Sequence, residues 1–479
     1  MKQSLIYFFG ALGGFLFGYS TGIISGALHY IGTDLKIVEN SLEEGALTAI
    51  ILVGAVAGAV AIGKLADKLG RRTSLFISAV LFVVGALLSG LAGSLEFLLL
   101  ARLIMGLAVG AVSSLVPLYL SELAPTSRRG SLAFLNQLMI VLGIVFAYTL
   151  NYLFSEFGTE SWNSSTGWRI SLAFVGIPAL LLLIGVFKLP ESPRYLFRIN
   201  NVNAARDVLL KLRTAREVEV ELEELKSSQS VRTASLKELT SKFVRPALVA
   251  GVGLAFFQQF MGINVIIYYS PKVLETVGFD NQGQRLSTIA IGVMNVIATL
   301  LAIKIVNHVN RRTLLISGGI VMGVALFSLA LLTITDRSTV EDQTIVHILT
   351  LVLMLIYIFT FGVTWGGVMW IVLAEIFPTH VRGLGIGITS GVNWVSNFTI
   401  TLLFPFLLGH AAYDENCFDE CNKATMLGGH PFWIFIVLSV FAFVAAIFIR
   451  FKLFETRGKS LEEIESELQM HSLSKNKEK

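Results

Sequence analysis

ELAPTSRRG at residues 122–130 returns as EIFPTHVRG at residues 375–383, with Glu, Pro, Arg and Gly at the same offsets. Two further pairs keep the same order. GKLADKLGRR (63–72) has a weaker echo in IKIVNHVNRR (303–312), and PESPR (190–194) is echoed by FETRG (454–458). Each second copy lies about half of the 479-residue chain downstream. Self-similarity at that spacing predicts two halves of like topology. Around these polar motifs the chain is oily: 54% hydrophobic, 15% charged, with mean hydropathy +0.72. Soluble domains carry about 25% charged residues. There is too little polar surface here to keep 52.3 kDa in water, which excludes an ordinary soluble enzyme. Disorder, collagen and a disulfide scaffold are excluded as well. The apolar runs are long and continuous, whereas a transmembrane barrel would show short alternating segments.

A membrane span needs about 20 mostly apolar residues. Twelve stretches qualify, at 4–29, 44–66, 73–93, 97–120, 131–154, 169–189, 247–274, 286–306, 313–334, 344–374, 383–409 and 431–451. Lys2 precedes an apolar run that continues past residue 25 without a small-residue cleavage site, so the start reads as the first span. Placing both termini in the cytoplasm leaves only Lys36, Arg169, Lys272, Arg285, Arg337 and Lys423 outside, of 37 Lys and Arg. That asymmetry sets the orientation. The expectation is an all-α membrane protein of two pseudo-symmetric six-helix bundles, 1–194 and 244–453. Residues 195–243 alternate apolar and charged side chains at helical spacing and predict a cytoplasmic helical segment. The charged tail, 454–479, reads as a cytoplasmic helix and tail.

Gly10, Gly14, Gly18, Gly22 and Gly26 recur every fourth residue in the first span, a stripe that lets helix backbones approach closely in lipid. Acidic side chains are nearly absent from the spans, but carboxamides cluster. Gln137 lies in the fifth span, Gln258, Gln259 and Asn264 in the seventh, Asn295 in the eighth, Asn393 and Asn397 in the eleventh. A primary amide offers two donors and an acceptor, and leaving it unpaired in a bilayer costs several kcal/mol. Such groups either glue helices together or face a polar cavity, and uncharged donors suit a neutral, hydroxyl-rich ligand. Trp365, Trp370 and Trp394 offer flat apolar faces for the C–H side of such a ligand. Arg102 stands inside a span, where it either serves function or snorkels to the outer end. The repeated motifs pair charges within themselves: Asp67 with Arg71 and Arg72, Glu122 with Arg129, Glu191 with Arg194, Glu375 with Arg382. Bridges between span ends would clamp the inner side shut.

The chain resembles the sugar porter family of the major facilitator superfamily along nearly its whole length. GKLADKLGRR, ELAPTSRRG, NQL (136–138), PESPR, QQFMGINVIIYYSP (258–271), NRRT (310–313), WGGVMWIVLAEIFPTHVRG (365–383), NWVSN (393–397) and FETRGKSLEEIE (454–465) carry the likeness. The resemblance implies that Gln137, Gln258, Gln259, Asn264, Asn295, Trp370 and Asn393 contact a monosaccharide, a hexose such as glucose. It implies outer-gate roles for Tyr268 and Tyr269, and a cytoplasmic salt-bridge network that also takes in Arg311, Arg312, Glu455 and Arg457. Proton-coupled members carry an Asp where this chain has Ser20, and some carry a Glu where it has Val175. Neither replacement titrates, and Arg102 loses the acid it would face. The resemblance therefore implies a facilitative uniporter, with a proton–sugar symporter as the alternative and a non-transporting sensor a distant third. No cofactor, metal or nucleic acid is expected, and no enzyme activity. The partners expected are the sugar and the lipid bilayer of the cell membrane, around a monomer. Cys417 and Cys421 could pair as a disulfide or stay free.

Overall fold

A computed structural model describes residues 3–39, 41–124, 129–227, 236–241, 243–306, 308–334, 343–378, 381–409 and 431–457. Cys417, Cys421 and most of the tail lie outside them. The described residues are helical, with no strand among them. Among the described residues, twelve helical stretches are long and apolar enough to cross a membrane, as the sequence predicts.

The chain divides into two compact units. The first holds α1 (Gln3–Leu35), α2 (Leu42–Leu69) from Ala46 onward, α3 (Arg71–Gly90), α4 (Leu95–Leu123) and α5 (Arg129–Phe157). Its sixth span is a composite of α6 (Glu160–Trp162), a π-helical turn at Asn163–Gly167, α7 (Trp168–Ala173) and α8 (Gly176–Val186). Three short helices follow in the same unit: α9 (Pro193–Arg198), α10 (Val202–Leu210) and α11 (Ala215–Ser227). They bury Phe197, Ala205, Leu209, Val218 and Leu222 against one another. At the approach to α11, the amide and hydroxyl of Thr214 both donate to the Glu217 carboxylate, at 2.9 and 2.8 Å. Those bonds hold the Glu217 carboxyl below the usual carboxylate range.

The second unit holds Glu39–Gly45, α12 (Leu236–Leu239), α13 (Arg245–Phe260), α14 (Ile263–Thr276), α15 (Asn281–Ile305), α16 (Arg311–Thr333), α17 (Gln343–Val363), α18 (Trp365–Ile376), α19 (Arg382–Gly409) and α20 (Pro431–Lys452). The charged segment 195–243 is thus shared, with α9–α11 in one unit and α12 in the other. Two spans that read as continuous in sequence are broken. The seventh is α13 and α14, parted at Gly262, whose φ of 94° is left-handed. The tenth is α17 and α18, parted at Thr364. A second irregularity falls at Tyr269 (φ −120°, ψ 18°), two residues before Pro271.

The glycine stripe packs as its spacing predicts. Gly14, Gly18, Gly22 and Gly26 face Asn136, Ile140, Ile144 and Asn151 in turn, so α1 and α5 run parallel in register. At Gly18 a Cβ would stand 1.8 Å from the Ile140 carbonyl oxygen. The α2–α4 contact is equally close, since a Cβ at Gly110 would stand 1.9 Å from the Ala55 oxygen. Gly18→Ala and Gly110→Ala each force two backbones apart, with an expected cost of at least about 1–3 kcal/mol. Gly63→Ala and Gly391→Ala, where a Cβ meets nothing within 4 Å, should leave stability unchanged. Thermal unfolding of the four purified variants in detergent checks the contrast.

Candidate functional site

The break at Gly262 gathers the amides of the second unit. Gln258 and Gln259 end α13, Asn264 opens α14, and Asn393 comes across from α19; all four are buried. Gln259 Nε2 donates to Gln258 Oε1 and to Asn393 Oδ1, both at 3.2 Å. Asn393 Nδ2 donates to Gln258 Oε1 at 2.8 Å and to the Ala255 carbonyl at 3.1 Å. Asn264 Nδ2 donates to Gln259 Oε1 at 2.5 Å. Gln258 Nε2 reaches the Trp365 carbonyl at 3.0 Å, beside the second break. The result is a charge-free network of donors and acceptors at two helix interruptions. Interrupted spans expose backbone polar groups where a membrane protein lines a cavity.

Other residues singled out in the sequence lie around this network or apart from it. Asn295 is buried on α15, facing Gly362 of α17. Trp370 lies on α18 and is 40% exposed. Trp365, offered by the sequence as another stacking face, is instead fully buried and donates its indole N–H to the Leu315 carbonyl at 2.9 Å. Gln137 is on α5 of the first unit and partly buried. Tyr268 and Tyr269 are buried on α14, and the Tyr269 hydroxyl donates to the Thr401 carbonyl at 2.9 Å. On α1 Ser20 is 0% exposed, and Val175 is buried at the α7–α8 joint. Arg102 is 1% exposed and donates from Nε to the Leu47 carbonyl at 2.8 Å, so it is held inside and does not snorkel outward.

Of the within-motif charge pairs, Asp67 with Arg71 forms, while Glu122, Glu191 and Glu375 take other partners. Glu122 takes Arg71 in a two-pronged bridge, Nε to Oε2 at 2.8 Å and Nη2 to Oε1 at 2.9 Å. Asp67 faces Arg71 at 3.3 Å and Arg198 at 2.8 Å. Arg198, on α9, is a partner the sequence reading missed, because nothing in its spacing ties it to residue 67. Glu191 accepts the backbone amides of Arg71 and Arg72, at 2.8 and 3.2 Å, and not the exposed Arg194. Those amides open α3, where no earlier carbonyl can accept them. Arg72 itself donates from Nε to the Val186 carbonyl at 3.0 Å. Arg129 begins α5, and its side chain lies outside the described residues.

The second unit repeats the plan. Glu455 accepts the amides of Arg311 and Arg312, each at 3.1 Å, at the start of α16. Arg311 reaches Glu375 at 3.3 Å, and Thr456 donates its hydroxyl to the other Glu375 oxygen at 2.5 Å. Arg457 donates to the His308 carbonyl at 2.6 Å, and Arg382 to the Phe377 carbonyl at 3.3 Å. One difference is local. Gly70 precedes α3 at φ 91°, where a Cβ would stand 2.3 Å from Glu191 Oε2. Asn310 precedes α16 at φ −62° and needs no such freedom.

Twelve spans in two repeated units, interrupted spans and polar groups at the interruptions define a secondary transporter. The family model of the sugar (and other) transporters matches residues 6–468, and the chain belongs to that family, the sugar porters of the major facilitator superfamily. It is similar to a D-xylose transporter of Levilactobacillus brevis, 39% identical over 98% of this chain and 96% of that protein. The glucose transporter GlcP of Staphylococcus epidermidis is 38% identical over 98% and 97%. The galactose-proton symporter of Escherichia coli is 36% identical over 97% and 94%. Among solved structures, the inward open conformation of the xylose transporter XylE from Escherichia coli matches with a TM-score of 0.79 and 32% identity, over 96% of this chain and 98% of that one. The fold is that of the superfamily, and the chain is a multi-pass sugar transporter, not an enzyme.

The two carboxylate–arginine pairs should differ in weight. Glu122 is 4% exposed, and its truncation leaves the buried Arg71 only the longer contact with the more exposed Asp67, so Glu122→Ala should cost about 3 kcal/mol. Glu375 makes a longer and more open contact, and Glu375→Ala should cost about 1–2 kcal/mol. Equilibrium unfolding in mixed micelles ranks them.

Proposed function

We propose that this transporter carries a monosaccharide, a hexose such as glucose, as a facilitative uniporter working by alternating access. Gln258, Gln259, Asn264 and Asn393 would meet the sugar, joined by Asn295, Trp370 and Gln137. Tyr268 and Tyr269 would gate it, with both termini cytoplasmic and the monomer as the working unit. The absence of charge at Ser20 carries the uniport reading. A proton coupled to transport needs a group that titrates in the working range, and neither a buried hydroxyl nor Val175 does so. The amide network supports an uncharged ligand, since each carboxamide can exchange a neighbour's oxygen or N–H for a sugar hydroxyl. GlcP supports the hexose. A second reading, proton symport, draws on the similarity to the galactose-proton symporter.

Sugar uptake into proteoliposomes separates the two. A uniporter equilibrates the sugar and ignores an imposed inward proton gradient, whereas accumulation above equilibrium establishes symport. Gln258→Ala, and separately Trp370→Ala, should weaken sugar binding by about 1–3 kcal/mol, roughly 5- to 150-fold in Kd. Unchanged binding in both removes the site assignment. Ser20→Asp should introduce pH dependence into uptake where the parent has none.

A further inference from the structure

One ion pair in the second unit, its carboxylate buried and its ammonium half-buried, has no part in the site described above. Residues Glu39–Gly45, which carry the first turn of α2, belong to that unit. Glu44 is 5% exposed, and Lys272 Nζ, on α14, donates to its two carboxylate oxygens at 2.6 and 2.7 Å. The helix start does not require this bond, because the Ser41 hydroxyl already accepts the Glu44 amide at 3.3 Å. The pair is embedded in a close contact. A Cβ at neighbouring Gly45 would stand 2.1 Å from the Leu402 carbonyl oxygen of α19. The preceding carbonyl, Thr401, accepts the Tyr269 hydroxyl. Lys272 follows Tyr269 by three positions, close to one helical turn. Three kinds of contact therefore meet on one stretch of α14 and α19: an ion pair, a backbone approach and a hydrogen bond.

The segment of α14 that carries them is also its least regular part. It begins at the left-handed Gly262 and contains the non-helical Tyr269 and Pro271. Such a segment can change angle without disturbing α13. An ion pair whose carboxylate is buried favours two discrete states, because parting it leaves that charge in a poorly solvated place. We propose that Glu44 and Lys272 form a clasp holding the first turn of α2 on α14 and α19, and that it must part before Tyr269 can leave Thr401 in each transport cycle. The proposal rests on the alternating-access reading above and adds a charged element to it.

The test is thiol labelling of Thr401→Cys in the full-length chain with Cys417→Ser and Cys421→Ser, using a maleimide in detergent. With the pair intact, labelling should be slow. Glu44→Gln and Lys272→Met should each speed it by about tenfold, by leaving a partner uncompensated. The charge reversal, Glu44→Lys with Lys272→Glu, should bring the rate back to within about threefold of the parent. Equal rates in all variants, or a reversal as fast as the single changes, would overturn the clasp. If a single change does not give a monodisperse protein, Glu44→Gln with Lys272→Gln leaves no unpaired charge and must still label fast. Labelling involves no sugar, whereas counterflow by the unaltered chain does. Intact counterflow with unresponsive labelling defeats the clasp alone; absent counterflow with responsive labelling defeats the transport reading alone.

Discussion

A carboxamide inside a membrane protein must be hydrogen-bonded, and that requirement organises the second unit. Water is not freely available there, and an unpaired amide would cost several kcal/mol. Gln258, Gln259, Asn264 and Asn393 meet the requirement largely through one another, with the carbonyls of Ala255 and Trp365 completing the set. Neutrality makes this arrangement exchangeable. Swapping an amide oxygen for a hydroxyl replaces one bond of about 0.5–1.5 kcal/mol net with another of similar worth. A carboxylate–arginine pair in the same place would be far harder to open, because parting it strands two charges. The network thus holds its members in position through bonds that are individually exchangeable.

The helix ends obey the same rule with charged groups. A helix leaves its first amides unsatisfied, and α3 and α16 each begin with two arginines whose amides go to a glutamate from another segment. Glu191 and Glu455 interact favourably with the positive ends of those helices. The arginine side chains are then left to reach Glu122 and Glu375. A single dipeptide therefore contributes backbone donors to one acid and a guanidinium to another. The acids of the repeat therefore serve residues at wide separations as well as their own motif, where Asp67 faces Arg71 at 3.3 Å.

That is also where reading the sequence reached its limit. Twelve spans, the two halves and the family were legible because apolar run length and repeated motifs are local or periodic signals. The glycine stripe was legible because every fourth residue falls on one helix face. Partner choice was not. Glu191 and Arg194 are three apart and of opposite charge, yet Glu191 goes to backbone amides more than a hundred residues away, which only the fold brings near. The break at Gly262 was hidden inside a long, mostly apolar run, since a glycine reveals a left-handed turn only through its dihedral angles. Trp365 looked like a stacking surface because composition cannot tell a buried indole from an accessible one.

Ser20 is wholly enclosed on α1, between Gly18 and Gly22, which press against α5. A carboxylate there would need a cation within reach to offset its desolvation. A serine hydroxyl carries a much smaller penalty, and Ser20 Oγ finds no hydrogen-bond partner among the described residues. The neighbouring Tyr19 does bond, donating to the Ser171 carbonyl at 2.7 Å. Arg102 is secured by a backbone carbonyl and so does not depend on an acid at this position to fix its Nε. The surroundings of residue 20 therefore enclose a neutral side chain. Helix packing here is set by glycines and backbone contacts, and no charged side chain at residue 20 takes part in it.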